Sequence, residues 1–172
     1  LNDKSQVQSA RSAYNSLNSS QKGKVTNYSK LTNAESQIKS LEEQEAADRA
    51  EAQKVINLIN KIPDSISIKD KPTVQTARNG YDGLTYPQKE YVTNYSKLVS
   101  AENTISNIEG YISAAQPVID KIDAIPNQIA LENKDLVTTA RTAYDKLTAK
   151  QKEYVTNYAK LTAAESAIAT LE

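Results

Sequence analysis

VTTARTAYDKLTAKQKEYVTNYAKLTAAESAI, residues 137–168, is the stretch of sequence that decides the fold. Related copies occupy residues 74–105 and 7–38, so the offsets are 63 and 67 residues. Residues 68–108 and 131–171 share 22 identities over 41 positions without a gap. Self-similarity at a fixed period of this length is typical of repeat architectures. The sequence therefore predicts a partial repeat at 1–41 and full repeats at 42–108 and 109–172.

Apolar residues within each repeat are spaced three and four positions apart, the period of an amphipathic α-helix. No segment shows the sustained alternation that is typical of a strand. In the second repeat three such stripes follow one another: Val55, Leu58, Ile59 and Ile62; Val74, Ala77, Tyr81 and Leu84; Leu98, Ala101, Ile105 and Ile108. The pattern predicts an all-α fold with a three-helix bundle in each full repeat.

The segments that connect the repeats also have helical sequences. Residues 30–62 contain neither Gly nor Pro, which predicts one continuous helix of about 50 Å shared by two repeats. The second connector contains Gly110 and Pro117, and we expect a kink or a break near Ala114–Pro117. The predicted architecture is an elongated rod of tandem, spectrin-like three-helix bundles joined by long shared or kinked helices.

The first 41 residues contain counterparts of the later helices of a repeat but none of its first helix. The chain begins within the repeating pattern, so we expect it to be a segment of a larger protein. Without a covering helix, the apolar residues of the partial repeat should be partly exposed. These residues are Val7, Ala10, Tyr14 and Leu17.

The composition excludes several classes of function. With no Cys or His, the chain has no zinc finger, haem site, catalytic thiol or Ser-His-Asp triad. Its 21 basic and 21 acidic residues give no net charge, which argues against a nucleic-acid partner. No apolar run approaches the roughly 18 residues of a membrane span. We expect no catalytic residue, cofactor or metal site, and no enzymatic activity.

Several polar residues recur in all three repeats and are candidate binding residues. An arginine follows a core alanine at positions 11, 78 and 141, and a glutamate follows one at positions 35, 102 and 165. For these residues we favour interhelical ion pairs over a ligand site. VTNY segments begin at residues 25, 92 and 155. We interpret them as the end of a helix with Asn in left-handed geometry, in preference to a site that contacts a glycan. Gln-Lys at 21–22, 88–89 and 151–152 is either a repeated binding pair or a capping glutamine with a solvated lysine.

Two further groups of residues admit both a structural and a binding interpretation. The ten tyrosines could form a patch that stacks on sugars, although half-buried packing at helix ends is the more common role. The acidic run of the first connector lacks the spacing of a calcium loop, so we expect a solvated helix face. That run contains Glu42, Glu43, Glu45, Asp48 and Glu51.

The consensus ARxAYDxLTxxQKxYVTNYxKLxxAExxI, preceded by IxxIP, resembles helical repeats of large surface proteins of Gram-positive bacteria. The resemblance covers essentially the whole chain and is specific for the repeat, not for an activity. It implies an extracellular location at the bacterial cell surface, in an S-layer or wall-associated protein. The implied function is a non-enzymatic spacer or stalk, or an adhesive segment.

Alternatives therefore remain at the level of the sequence. The first is the spacer, whose partners are neighbouring repeats or domains of the same protein. The second is a module that binds a cell-wall polymer or glycan, or a host protein, through a helical face. The third is an accessory domain of an enzyme, which would show the same repeats.

Overall fold

The computed structural model describes residues 2–172, and this part of the chain is helical with no strand. Nine α-helices are present within it, together with 3₁₀ turns at Ile68–Asp70 and Leu131–Asn133. The helices are α1 (Lys4–Ser16), α2 (Ser19–Lys22), α3 (Tyr28–Asn60), α4 (Lys71–Asp82), α5 (Tyr86–Lys89), α6 (Tyr95–Asp123), α7 (Lys134–Asp145), α8 (Ala149–Lys152) and α9 (Tyr158–Leu171). The all-α prediction is confirmed.

The long helix predicted for the first connector is confirmed. α3 runs without interruption for 33 residues, which at 1.5 Å per residue is about 50 Å. It ends at Asn60, and Pro63 lies three residues beyond this end. The helix ends here because a proline cannot continue the hydrogen-bond pattern and restricts the residue before it.

Of the kink or break expected near Ala114–Pro117, the break is wrong, and the kink stays a prediction. α6 continues through both Gly110 and Pro117 for 29 residues. Pro117 is exposed, whereas its neighbours Ala115 and Val118 are buried in the core. The buried face of the helix therefore offsets the hydrogen bond that the proline cannot donate.

The chain forms two compact units, each with its own packing. In the second unit, residues 62–75 and 96–172, one hydrophobic core gathers side chains from α6, α7 and α9. Its buried members are Ala115, Val118, Ile122, Ile125, Val137, Ala140, Val155, Leu161, Ala164 and Ile168. Buried side chains of these three helices thus share one interior.

The first unit combines the described residues up to 61 with residues 76–95. Near its carboxyl end α3 buries Ala52, Val55 and Ile59. A Cβ atom at Gly80 would lie 2.8 Å from Cδ1 of Leu58, so α4 approaches α3 closely at this glycine. α1 lies against the amino-terminal half of α3 in the same unit.

The partial repeat is less buried than the others, as its sequence predicts. α1 contains no buried residue, and the first buried residue of α3 is Asp48. Val7, Tyr14 and Leu17 are half-buried, and Ala10 is exposed.

Candidate functional site

The recurring arginine of the third repeat lies in a cluster of charged and aromatic groups. Arg141 donates from Nε and Nη2 to the two carboxylate oxygens of Glu165, each at 2.5 Å. Its guanidinium carbon lies 5.4 Å from the ring centroids of both Tyr144 and Tyr158. The two rings stack with their centroids 4.4 Å apart. This bidentate pair fixes α7 against α9, as the interhelical interpretation predicts.

The first repeat has the same arrangement. Arg11 donates to Glu35, with 2.5 Å between Nε and Oε1, and also to the hydroxyl of Tyr28 at 3.1 Å. Tyr14 stacks on Tyr28 with a centroid distance of 4.2 Å. The predicted pairs of Arg11 with Glu35 and of Arg141 with Glu165 are therefore confirmed.

The second repeat has the same tyrosine stack with a different set of arginine contacts. Tyr81 and Tyr95 lie 4.2 Å apart, and the guanidinium carbon of Arg78 is within 5.5 Å of both centroids. Arg78 also donates to Oδ1 of Asp82 at 3.2 Å. Its predicted pair with Glu102 stays a prediction.

In the first and third repeats the ion pair shifts the pKa of a member toward its charged form. Hydrogen bonds from Arg11 lower the pKa of Glu35 from its ordinary value, and the hydrogen bonds to Glu165 raise the pKa of Arg141. Burial is the main cause that raises the pKa of Tyr144. A general acid or base needs a pKa near the working pH, and these shifts lead away from it.

The asparagines of VTNY connect neighbouring helices in the second and third repeats. Nδ2 of Asn157 donates to the backbone oxygen of Ile119 at 2.9 Å and to Oδ1 of Asp123 at 2.8 Å. Asn94 bonds to α3 in the same way, at 3.1 Å to the backbone oxygen of Ile56 and 2.9 Å to Oδ1 of Asn60.

The expected left-handed geometry at these asparagines is wrong. No residue of the described chain, glycine included, has positive φ, and Asn157 has φ −109° at the start of α9. Asn94 and Asn157 instead act through their side-chain amides, which donate to an earlier helix of the chain.

The repeated Gln-Lys pairs are used within the fold. The side-chain oxygens of the glutamines accept the backbone N–H of Asn18, Thr85 and Thr148 at 3.0, 2.9 and 2.8 Å. The lysines that follow lie over the rings of Tyr14, Tyr81 and Tyr144, with Nζ 5.6, 5.2 and 5.0 Å from the centroids. The capping function of the glutamines is confirmed, and the lysines are not simply solvated.

The acidic run of the first connector is only in part a solvated face. Asp48 is 8% exposed and accepts hydrogen bonds from Nε2 of Gln44 and of Gln88, at 3.2 and 3.1 Å. Nearby, Glu45 accepts from Arg49 and from the hydroxyl of Tyr91. Hydrogen bonding by Arg49 is the main cause that lowers the pKa of Glu45, and burial raises that of Tyr91.

One recurring interaction has no counterpart among the predictions from sequence. A lysine near the start of α1, α4 and α7 pairs with a glutamate 38 residues later, and these pairs are Lys4–Glu42, Lys71–Glu109 and Lys134–Glu172. The signal was present in the sequence, because both members recur at the repeat offsets. A search for charge pairs of constant separation would have found it.

An open apolar groove of about 500 Å³ lies between α1 and the first half of α3. Val7, Ala10, Tyr14 and Leu17 line it from α1, and Leu31 and Ala34 line it from α3. Asn27 and Lys30 lie at the same groove. It is the surface that the partial repeat leaves uncovered.

The described residues form neither a metal site nor a membrane span. Among residues 2–172 there is no cluster of acidic side chains arranged to hold a metal ion. In the same part of the chain, no helix combines the length and the apolar character needed to cross a bilayer.

Comparison with known proteins gives no relative. No protein family model, no curated protein and no solved structure matches this chain. The function must therefore be argued from the chain itself.

Proposed function

We propose that this chain is a non-enzymatic spacer segment of a bacterial cell-surface protein. In this proposal residues 42–108 and 109–172 are tandem three-helix bundles, residues 1–41 are part of a further one, and α3 and α6 are each shared by successive bundles. The segment is an elongated rod that holds other domains of the same protein apart. Its location is extracellular, in an S-layer or wall-associated protein.

The observation that carries the proposal is the recurrence of the same internal contacts at the repeat offsets. Stacked tyrosines under an arginine, capping glutamines and terminal Lys–Glu pairs occur three times each. In each case the side chains that could have contacted a ligand have a partner within the chain instead. Repeats that interact only with their neighbours build extended arrays, since no contact draws distant repeats together.

Small-angle X-ray scattering tests the rod directly. A compact domain of this length has a radius of gyration of about 16 Å. The spacer should give at least about 1.5 times that value, with a pair-distance distribution that has a long tail. A radius of gyration near the compact value contradicts the proposal.

The proposed location is tested separately in the organism that carries the gene. An epitope placed in the 3₁₀ turn Leu131–Asn133, whose leucine is 51% exposed, should be labelled by antibody on intact cells. Labelling only after lysis contradicts an extracellular spacer.

The second candidate function is a module that binds a cell-wall polymer or a host protein. The exposed apolar groove of the partial repeat is the observation that favours a binding function. Retention of the chain on purified cell wall or on immobilised serum proteins would support it. The Gln-Lys pairs are weaker candidates for such a contact because both residues already have partners within the fold.

A further inference from the structure

The groove of the partial repeat has a filled counterpart in the same molecule. Val7, Ala10, Leu31 and Ala34 correspond, at the repeat offsets, to four residues of the third repeat that are at most 4% exposed. Those four are Val137, Ala140, Leu161 and Ala164. They share their core with buried residues of α6, so the same helix pair is covered in one repeat and open in the other.

The covering helix has a defined apolar stripe. In α6 and the residues after it, the stripe is Ala115, Val118, Ile122 and Ile125, followed by Pro126. The same residues at the same spacing recur as Ala52, Val55, Ile59 and Ile62, followed by Pro63. All eight apolar residues are buried. A helix that fills this kind of groove therefore carries Ala-x2-Val-x3-Ile-x2-Ile.

Polar groups at the groove specify the carboxyl end of that helix. In the third repeat Asn157 donates to Ile119 and Asp123, and Lys160 donates to the backbone oxygen of Asp123 at 2.9 Å. Their counterparts in the partial repeat are Asn27 and Lys30. The side chains of these two residues make no hydrogen bond within residues 2–172.

Charge complements this arrangement. Residues 1–41 contain six basic and two acidic side chains, a net charge of +4. Residues 112–126, which contain the α6 stripe, carry a net charge of −1, whereas residues 52–62, which contain the α3 stripe, carry Lys54 and Lys61 and no acidic residue. A helix with the composition of the α6 stripe is therefore attracted to the groove as well as shaped for it.

We propose that the groove between α1 and α3 binds an amphipathic helix from outside these 172 residues, with the stripe Ala-x2-Val-x3-Ile-x2-Ile and Asn or Asp directly after the first isoleucine. Asn27 donates to a backbone oxygen and to that Asn or Asp side chain, and Lys30 binds the carboxyl end of the helix. A second copy of this chain is a poor occupant, because its own two stripes are already buried. This inference does not depend on the proposed spacer function.

A synthetic peptide with the sequence of residues 112–126, ISAAQPVIDKIDAIP, is the probe. It is preferred to the α3 sequence because Leu58 packs against Gly80, whereas the groove has Ala13 at the corresponding position. The labelled peptide is titrated with the full chain and its fluorescence anisotropy is measured. We expect saturable binding with a dissociation constant below about 1 mM, and amide chemical-shift changes centred on Val7, Ala10 and Leu31.

Matched variants locate the binding site. Ala10→Glu places a charge in the groove and should weaken binding at least about tenfold, whereas Ala46→Glu, also at an exposed alanine, should change it less than about twofold. Asn27→Ala should weaken binding by about threefold to tenfold through its lost hydrogen bonds. A peptide with serine in place of Val118, Ile122 and Ile125 should not bind.

Three results would overturn the proposal. The first is the absence of saturation up to about 1 mM peptide or protein, since a fitted apolar stripe should bind more tightly than that. The second is binding that Ala10→Glu leaves unchanged, which places the peptide elsewhere. The third is a concentration-dependent dimer in sedimentation that Ala10→Glu abolishes, because the occupant is then a second copy.

Discussion

Replacing Asn157 by alanine removes the hydrogen bonds that connect the start of α9 to α6. The corresponding residue of the partial repeat, Asn27, provides a matched control. The side-chain amide of Asn157 makes two hydrogen bonds to α6, one to a backbone oxygen and one to the carboxylate of Asp123. A neutral hydrogen bond contributes about 1 kcal/mol to stability, and one to a charged group about 1.5 kcal/mol or more. The buried Oδ1 of Asn157 has no partner, and its removal recovers about 1 kcal/mol of desolvation. We therefore expect Asn157→Ala to lower the free energy of unfolding of the third repeat by about 1.5 kcal/mol.

Native-state hydrogen exchange measures this loss where it occurs. A loss of about 1.4 kcal/mol reduces the protection of an amide about tenfold if that amide exchanges through unfolding of the repeat. Core amides such as those of Ile122 and Leu161 should show this reduction. The control is Asn27→Ala, the same substitution where the amide has no hydrogen bond within the described residues, and it should leave stability unchanged to within about 0.5 kcal/mol. Equal effects of the two substitutions would refute the assignment of the stability to these hydrogen bonds.

Three further predictions follow from packing, charge and helix geometry. Leu161→Ala should cost about 2–5 kcal/mol in urea unfolding, and Leu31→Ala, at the corresponding half-buried position, less than half as much. Because Arg11 lowers the pKa of Glu35 below its ordinary 4.5, their contribution to stability is fully present above that pH and is lost as the pH falls through the lower, folded-state value. Glu35→Gln should therefore flatten the acid side of a stability profile measured by urea unfolding from about pH 6 to pH 3. Pro117→Ala should raise the melting temperature and stabilise α6 by about 1–3 kcal/mol, since the proline is exposed inside a continuous helix.

The periodic apolar stripes predicted the helices well because each stripe depends only on the spacing of residues that are close together in the sequence. The spacing of Val55, Ile59 and Ile62 placed a helix there, and its end before Pro63 follows from the proline ring. The same local reasoning gave too much weight to Pro117. A proline in an isolated helix is disruptive, but this one lies on the exposed face of a helix whose other face is buried.

The polar contacts could be predicted only where both partners left a signal at the repeat offsets. Arg141 and Glu165 could be paired because each follows a core alanine, and their counterparts Arg11 and Glu35 do the same. Asp48 gave no such signal, because the corresponding residue of the third repeat is Tyr111. Its burial depends on Gln88, which is 40 residues away and approaches only in the folded chain.

In this chain, the contacts that differ between the repeats are better evidence of function than the contacts that the repeats share. The shared residues contact one another, so their recurrence is explained by the stability of each repeat. Asn27 and Lys30 have the same identity as their counterparts but no hydrogen-bond partner for their side chains within the described residues. Two polar side chains and an apolar groove, each with a counterpart in the third repeat that contacts another helix, lie exposed together at one place. Since the filled counterparts all contact a single helix, the simplest way to satisfy the open set is one further helix of the same kind.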